Sequence, residues 1–387
     1  MGILMLATRV QGLEYAIRDV VLPAKKLEAQ GHKIIKLNIG DPNVYDFDTP
    51  EHVRKAAIDA MNSRKNGYAD SQGDAPILDS IVAREKKFNG SAPDSVLLTY
   101  GASEGVSFSC QALLNPGEEA LVPGPNYPQY MSVPKLCDGK AVEYACDESA
   151  NWDPDVSDIR KKIGPKTKLI VAINPNNPTG AVYSRKTLKA LIDVAGEHKI
   201  PILSDEIYDQ LAFTDYVSLT SLAKDVPLIT LNGISKNHVA PGWRIGYMAF
   251  RNCAEITEGC MAMARNRLCV NRPCAWGFKA ALDGPQDHVT EVKKKLVQRR
   301  DYIMKRIHEI PGLSCVEPKG AFYAFPKVDG CTDDKKWVLD LLHEQHVLVV
   351  HGSGFGQYGR GHFRLVYLPP VDVLEQAFNG IEKFMRK

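Results

Sequence analysis

The sequence has no excess of charge of either sign and no long hydrophobic run. Lysine and arginine together number 48 against 46 acidic residues, which gives a net charge of +2. This balance provides no electrostatic reason to expect binding to nucleic acid or to an anionic membrane. No uncharged apolar stretch approaches the roughly 20 residues that a membrane-spanning helix needs. We therefore expect neither a nucleic-acid partner nor a membrane span.

Paired cysteine motifs are missing too. The nine cysteines are scattered, with no C-x-x-C pair and no histidine–cysteine cluster at the spacing of a zinc site. An odd number of cysteines without a disulfide framework is typical of a reducing compartment. The apolar run in MGILMLATRV is too short for a secretory signal, and no cleavage site follows it. These features predict a cytoplasmic protein without a metal site.

Internal repeats, low-complexity tracts and obvious linkers are also lacking. At 387 residues the chain is longer than a single hydrophobic core supports, so we expect one larger and one smaller domain. The pattern of apolar and polar residues changes near residue 275. We therefore expect a large domain at residues 41–275 and a small domain at residues 276–387, which an N-terminal segment, residues 1–40, completes.

The large domain alternates short apolar segments with amphipathic helices, a pattern that predicts an α/β fold with a mainly parallel, seven-stranded sheet. The predicted strands are SVLLTY (95–100), EALVPG (119–124), KAVEYAC (140–146), TKLIVAIN (167–174), IPILSD (200–205), PLITLNG (227–233) and RIGYMAF (244–250).

The small domain reads as α+β. Apolar residues spaced three, four or seven apart predict one long helix over residues 288–312. The segments AFYAFP (321–326), VLVVHG (347–352) and HFRLVYLP (362–369) then read as strands.

Polar residues follow two strands of the predicted sheet, at the edge where open α/β sheets bind ligands. After LLTY, the small residues Gly101, Ala102 and Ser103 open a helix and would leave backbone N–H groups free for a phosphate. The alternative is an ordinary N-cap by Ser103. After LIVAI, the turn NPNNPTG (174–180) has more asparagines than a plain turn needs, which indicates ligand recognition.

Two further strands end in charged residues. After IPIL come Asp205 and Tyr208, three residues apart, which could face the same way on a helical turn. The alternative for Asp205 is another N-cap. After LITLNG come Ser235 and Lys236, and Arg244 opens the next strand.

These four strand ends bring a phosphate cradle, amides, an acid and a lysine to one sheet edge. A partly desolvated lysine near other cations has a lowered pKa and can act as an amine nucleophile. Pyridoxal 5'-phosphate is the cofactor that needs a Schiff-base lysine, a phosphate site and an acid facing a ring nitrogen. The sequence therefore predicts a pyridoxal-phosphate site.

The motifs together resemble the class I aminotransferases, which have fold type I of the pyridoxal-phosphate enzymes. They are PNYP (125–128), NNPTG (176–180), SDEIY (204–208) and SK followed by PGWRIGY (235–247). The resemblance runs through nearly the whole chain, from YAIRDVV at residue 15 to VYLPP at residue 370. It is closest to the prokaryotic alanine and aspartate aminotransferases, especially the alanine branch.

The resemblance implies a role for each residue of the cofactor site. Lys236 would form the Schiff base and move the substrate α-proton, and Asp205 would keep the pyridine nitrogen protonated. Asn177 and Tyr208 would hydrogen-bond to the ring hydroxyl, and Tyr127 would stack on the ring. Among these residues Lys236, Asp205 and Tyr208 would be catalytic. The phosphate would be bound by Gly101, Ala102, Ser103, Ser235 and Arg244.

The resemblance also implies a homodimer and a site for the substrate carboxylate. Tyr68, in NGYADSQG, would reach the phosphate in the partner subunit. Arg364, inside an apolar strand, would pair with the substrate α-carboxylate, because a buried arginine needs an anionic partner. The backbone of Gly40 would approach the same carboxylate, and the amide of Asn177 would also contact the substrate. The glycine-rich GSGFGQYG (352–359) is interpreted as a structural turn near Arg364.

The expected reaction transfers an amino group between an L-amino acid and a 2-oxo acid. Alanine is favoured, with glutamate and 2-oxoglutarate as the second pair. Tyr15 and Arg18, three apart on an N-terminal helix, would lie near the far end of the substrate, and the alternative pairs Arg18 with Glu14.

The alternative hypotheses for the function are an aspartate aminotransferase, another enzyme of this fold such as a carbon–sulfur lyase, and a ligand-sensing regulator. The regulator would need an added DNA-binding domain, whereas the fold is expected to begin within about the first 15 residues. A dinucleotide-binding dehydrogenase is excluded, because no G-x-G-x-x-G follows a first strand.

Overall fold

The structure, a computed structural model, describes residues 6–13 and 15–387. Over these residues the chain forms fourteen α-helices and fifteen β-strands. The strands are β1 (Ile35–Lys36), β2 (Ser95–Thr99), β3 (Glu119–Gly124), β4 (Lys140–Asp147), β5 (Asp153–Pro154), β6 (Thr167–Ile173), β7 (Ile202–Asp205), β8 (Leu228–Gly233), β9 (Gly246–Arg251), β10 (Leu313–Ser314), β11 (Tyr323–Ala324), β12 (Lys327–Val328), β13 (Val347–Leu348), β14 (Val350–His351) and β15 (Phe363–Val366). The helices are α1 (Ala16–Asp19), α2 (Val21–Ala29), α3 (Glu51–Asn62), α4 (Ala75–Asn89), α5 (Ala102–Leu113), α6 (Gln129–Leu136), α7 (Val156–Lys162), α8 (Arg185–His198), α9 (Leu219–Leu222), α10 (Ala254–Arg267), α11 (Arg272–Asp283), α12 (Asp287–Glu309), α13 (Asp334–Gln345) and α14 (Val371–Met385).

The largest sheet has the strand order β2-β9-β8-β7-β6-β3-β4-β5. Its central pairs are parallel, whereas β9 is antiparallel to both β2 and β8. All seven predicted strands are present, which confirms the mainly parallel α/β sheet. The sequence did not predict the eighth strand, β5, because its two residues, Asp153 and Pro154, form no apolar run.

Burial explains why the central strands are recognisable in the sequence. In β6, every residue of Thr167–Ile173 except Lys168 is buried, as expected for a parallel strand covered on both faces. The edge of the sheet departs from the prediction at one point. Strand β9 begins at Gly246 and not at Arg244, because Arg244 has a left-handed φ of 56°, which does not continue a strand.

Helix α12 confirms the long helix predicted after residue 275. It covers Asp287–Glu309, and the residues that repeat along one face, including Leu296, Ile303 and Ile307, are fully buried. The helix ends three residues before the predicted boundary, because Pro311 disfavours a helical conformation at the residue before it.

The beginning and the end of the chain pair with each other. Strand β1 is parallel to β13, with Ile35 opposite Val347. Strands β11, β15 and β14 form a small antiparallel sheet beside this pair. These pairings support a small domain built from both ends of the chain, although its boundaries at residues 40 and 275 remain a prediction.

No helix among residues 6–13 and 15–387 is both long and apolar enough to cross a membrane. Within the same residues, no three histidine, cysteine or acidic side chains are grouped so that they could hold a metal ion.

Candidate active site

A cavity of about 470 Å³ lies at the carboxyl ends of β6, β7 and β8. Ligands of open α/β sheets bind at this edge. Gly101 and Tyr68 are the two predicted site residues that do not line the cavity. The predicted residues that line it are Tyr15, Arg18, Gly40, Ala102, Ser103, Tyr127, Asn177, Asp205, Tyr208, Ser235, Lys236, Arg244 and Arg364.

Lys236 lies in the turn after β8, with its amine inside the cavity. Its Nζ donates a hydrogen bond to the carbonyl of Gly40 at 3.1 Å. Burial first, and then the nearby cations Arg364 and Arg244, lower the pKa of the amine to about 8, although Asp41 opposes the shift. The amine is therefore neutral often enough near physiological pH to act as a nucleophile or a base.

Asp205 closes strand β7 beneath the cavity. Its Oδ2 accepts a hydrogen bond from the Tyr130 hydroxyl at 2.7 Å, and its Oδ1 accepts one from the Ile207 N–H at 3.1 Å. Burial nevertheless raises the pKa of the carboxyl. A helix N-cap does not account for Asp205, because the short 3-10 helix that follows begins after Tyr208. The carboxylate is placed to stabilise a cation inside the cavity.

The first turn of α5 has free backbone donors at the cavity wall. Its N-cap is Gly101, with a φ of 70°, and no side chain caps the helix. The alternative that Ser103 is the N-cap is therefore wrong. The Ser103 hydroxyl instead accepts a hydrogen bond from Arg244 at 3.4 Å. A Cβ on Gly101 would lie 2.9 Å from Arg244 Nη2, so glycine lets this cation approach the helix. Together the helix N-terminus and the guanidinium form an anion site.

Arg364, on β15, is buried with 1% of its surface exposed. Its Nη1 donates to Asn177 Oδ1 at 3.0 Å and its Nη2 to the Asn38 carbonyl at 2.5 Å. Its Nε has no partner, and no carboxylate forms an ion pair with it among the described residues. Burial lowers the pKa of the guanidinium. A carboxylate entering the cavity would supply the missing counter-charge.

Two pairs of tyrosine hydroxyls line the cavity. Tyr208 and Tyr323 are hydrogen-bonded at 2.8 Å, and Tyr15 and Tyr127 at 2.6 Å. The ring of Tyr323 also lies 4.5 Å from the guanidinium carbon of Arg364. A Cβ on Gly40 would lie 2.3 Å from the Tyr323 hydroxyl, so only glycine fits there. The Tyr15 bond holds the N-terminal segment against the cavity.

Tyr68 and Arg18, two further predicted residues, are exposed. Tyr68 is 82% exposed on this single chain. Arg18 is exposed as well, although it lines the cavity mouth. It forms no ion pair with any described residue, and Glu14, its alternative partner, lies outside the described residues.

Sequence reasoning did not identify Tyr130, Tyr323 or Asp41 as site residues. Tyr130 lies three residues after Tyr127 at the start of α6, and this helical spacing could have indicated it. No comparable spacing in the sequence could have indicated Tyr323. The glycine-rich segment 352–359 is confirmed as a structural turn near Arg364, because it forms two short 3-10 helices and places Phe355 against the guanidinium at 4.8 Å.

The cavity matches the chemistry of pyridoxal phosphate. It combines an amine of lowered pKa, a buried carboxylate, an uncapped helix N-terminus beside an arginine, and a second arginine that has no counter-ion in the described part of the chain. These groups would respectively bond to the aldehyde, face the ring nitrogen, bind the phosphate and bind a substrate carboxylate.

The fold and this cavity define a pyridoxal-phosphate-dependent enzyme. The chain belongs to the family of class I and II aminotransferases, whose model matches residues 32–381. It is a pyridoxal-phosphate-dependent aminotransferase.

The chain is similar to several named members of this family. It is 39% identical to the glutamate-pyruvate aminotransferase of Haemophilus influenzae, over 96% of each chain. Its structure resembles that of an alanine aminotransferase from Pyrococcus furiosus, with a TM-score of 0.96, 50% identity, and coverage of 98% of this chain and 99% of that one. It is also 34% identical to the aspartate aminotransferase of Bacillus subtilis, over 99% of each chain.

Proposed function

We propose that this aminotransferase exchanges an amino group between alanine and 2-oxoglutarate, and in reverse between glutamate and pyruvate. The observation that carries the proposal is the buried Arg364, which faces the cavity without a counter-ion from residues 6–13 or 15–387 and would bind the α-carboxylate shared by all four molecules. The names of the relatives at 39% and 50% identity support alanine and glutamate as donors.

Pyridoxal phosphate supplies an aldehyde that bonds to an amine and a ring that accepts electrons from the substrate α-carbon. Asn177 and Tyr208 would bind the ring hydroxyl, and Tyr127 would pack on the ring. Asp205 would keep a proton on the ring nitrogen, since a carboxylate in this buried place gains from a cationic partner. The phosphate would be bound by Gly101, Ala102, Ser103, Ser235 and Arg244.

Lys236 would move the proton between the substrate and the cofactor. With a pKa of about 8, its amine both accepts and releases a proton near physiological pH. Arg364, Asn177 and the backbone of Gly40 would orient the substrate, so that its α-carbon lies within reach of the amine. In the first half-reaction the donor leaves as a 2-oxo acid, and in the second an acceptor oxo acid takes up the amino group.

The cavity mouth would recognise the second carboxylate of glutamate and 2-oxoglutarate. Arg18 lines the mouth and has no ion-pair partner among the described residues, so its charge is available to a ligand. Tyr15, three residues away, bonds to Tyr127 and would hold this segment over the substrate.

A screen of amino donors tests the proposed substrates. With 2-oxoglutarate as acceptor, alanine should give a kcat/KM at least about tenfold above that of aspartate. A preference for aspartate would support the aspartate aminotransferase alternative, which the Bacillus subtilis relative suggests. Pyruvate and ammonia released from a sulfur-containing amino acid without any acceptor would instead indicate a carbon–sulfur lyase.

We also propose a homodimer in which Tyr68 of each subunit reaches the phosphate site of its partner. The support is that Tyr68 is 82% exposed and lies outside the cavity of its own chain. Tyr68→Phe should weaken cofactor retention severalfold. Hybrid dimers of Tyr68→Phe and Lys236→Ala chains should contain one site with both native residues and regain tight retention there. A monomer at micromolar concentration would refute the proposal.

Two broader predictions belong with this function. We propose that residues 41–275 form the cofactor-binding domain and that residues 276–387, with residues 1–40, form a smaller one. We also propose a cytoplasmic location, since all nine cysteines are free thiols, which fits a reducing compartment.

A further inference from the structure

A buried polar network lies next to the cavity without lining it. Each of its members is at most 8% exposed. They come from α4, the turn after β7, β8, the turn that holds Lys236, and β9. The residues of this network, called the Asp209 network below, are Arg84, Glu85, Asp209, Asn232, Asn237 and Tyr247.

Asp209 joins the two turns that carry site residues. It directly follows Tyr208, and its Oδ1 accepts a hydrogen bond at 2.7 Å from Nδ2 of Asn237, which directly follows Lys236. Its Oδ2 accepts a bond from Asn232, on β8, at 3.0 Å. The carboxylate therefore connects the turn of the tyrosine to the strand before the lysine turn and to the residue after the lysine.

The charges in the network strengthen the hydrogen bonds that Asp209 accepts. The guanidinium of Arg84 bonds to Asp209 through Nη2 and to Glu85 through Nη1, at 2.6 Å for the latter. One buried cation thus serves two buried carboxylates, so the remaining negative charge must be stabilised by neutral donors. The bond from Asn237 to Asp209 is one of these charge-assisted hydrogen bonds.

The turn that holds Lys236 has little backbone support of its own. From outside the turn, the Thr49 hydroxyl donates to the Val239 carbonyl at 2.7 Å. The backbone-to-backbone bonds of the turn are Ile234 N–H to Ile245 O at 3.1 Å, His238 N–H to Ile234 O at 3.3 Å, and Val239 N–H to Lys236 O at 3.4 Å. The last two are long. The position of the Lys236 backbone therefore depends on the side chains of its neighbours, and Asn237 is 1% exposed.

We propose that Asn237, bound by Asp209, is a positioning residue that fixes the Lys236 turn relative to the turn of Tyr208. This inference rests on the proposed role of Lys236 as the proton carrier. Displacement of a reacting group by about 1 Å can cost about a hundredfold in rate, so loss of this one bond should lower kcat. The KM of alanine should stay nearly unchanged, because Asn237 does not line the cavity.

The chain offers a matched control for the loss of this bond. Asn89 donates from its Nδ2 to Glu85 Oε2 at 2.7 Å, at the opposite end of the same charge network. Like Asn237, it is buried, and its Oδ1 has no partner among the described residues. Asn89→Ala and Asn237→Ala therefore remove the same kind of bond from a buried carboxylate, but only Asn237 adjoins Lys236.

The experiment measures two quantities besides melting temperature. The first is amide hydrogen exchange of residues 234–239 in the cofactor-free protein, which does not depend on activity. The second is the separation of kcat from KM in the loaded enzyme. Asn237→Ala should accelerate exchange in this segment by about tenfold or more and lower kcat by about ten- to hundredfold. Asn89→Ala should lower the melting temperature similarly and change neither quantity.

If Asn237→Ala does not fold, Asn237→Ser, whose hydroxyl can still donate, should fold and show a smaller change of the same kind. Equal kcat values for the variants at positions 237 and 89, or unchanged exchange of residues 234–239, would overturn the proposal. The role of Lys236 is tested separately by Lys236→Ala. An error in the proposed role of Lys236 is therefore distinguishable from an error in the positioning role of Asn237.

Discussion

The inner wall of the cavity and its mouth contain similar side chains in opposite environments. On the inner wall Arg364 is 1% exposed and hydrogen-bonded to Asn177 and Asn38. At the mouth Arg18 is exposed and has no ion-pair partner among the described residues. Arg364 lies on β15, a strand of the small antiparallel sheet, whereas Arg18 lies on the four-residue helix α1.

This difference indicates where each kind of recognition is built. A buried charge is costly to leave unpaired, so the inner wall binds its ligand groups strongly and in one geometry. An exposed charge is screened by solvent and contributes less. The inner wall is thus suited to groups common to every amino-acid substrate, and the mouth to the group that distinguishes one substrate from another.

The largest expected effect is at the inner wall, from Lys236→Ala. Removing both the nucleophile and the proton carrier should lower kcat by about 10⁴-fold or more. Borohydride treatment of the native enzyme should fix the cofactor to Lys236, and mass spectrometry of this peptide should find no such adduct in the variant. Full activity of Lys236→Ala would show that this lysine is not needed for the reaction. The inner wall would then matter no more for activity than the mouth.

Asp205→Asn should have the next largest effect. The amide retains the shape of the side chain, and its single oxygen can accept either the Tyr130 bond or the Ile207 bond, but it lacks the charge that would stabilise a protonated ring nitrogen. We expect kcat to fall by about 10²- to 10³-fold while cofactor remains bound through the phosphate site. Weaker cofactor binding with native kcat would show that Asp205 only anchors the cofactor.

Arg364→Lys should raise KM for every substrate by a similar factor. Lysine keeps the charge, but it lacks the planar guanidinium that can donate to Asn177, to Asn38 and to a carboxylate at the same time. We expect KM to rise about ten- to hundredfold for alanine and for glutamate alike, when the two are measured side by side. A change confined to glutamate would place the distal carboxylate, and not the α-carboxylate, at Arg364.

Arg18→Ala should give the smallest and most selective effect. We expect kcat/KM for glutamate and 2-oxoglutarate to fall roughly five- to tenfold, because the lost contact is partly screened by solvent, and to change little for alanine. Arg9→Ala is the matched control, since Arg9 is an exposed arginine of the same segment that pairs with Asp138. Equal losses for all substrates would show that Arg18 is structural.

The sequence predicted the site best where function depends on residues next to a strand end. Lys236 and Asn177 follow a buried apolar strand and Asp205 ends one, so their common location could be inferred before the structure was known. Contacts between distant elements were not predictable in this way. Tyr208 and Tyr323 are 115 residues apart, and Asp209 and Asn237 meet only because two turns converge.

Local backbone conformation also limited the prediction. An N-cap at Ser103 stayed open as an alternative, because the sequence does not reveal the φ of 70° that makes Gly101 the N-cap. The edge strand β5 has too few residues for any periodicity.

The pairing of β1 with β13 has a consequence for the synthesis of the protein. Leu37 accepts a hydrogen bond from Val366 N–H at 2.9 Å, and the Asn38 carbonyl accepts one from Arg364, so both ends of the chain are needed to build the arginine's surroundings. A ribosome adds about 5–20 residues per second, so about 16 to 65 s pass between synthesis of the first of these residues and the last. During this time the N-terminal segment has no strand to pair with, and a chain that stops before β15 contains Lys236 but lacks Arg364.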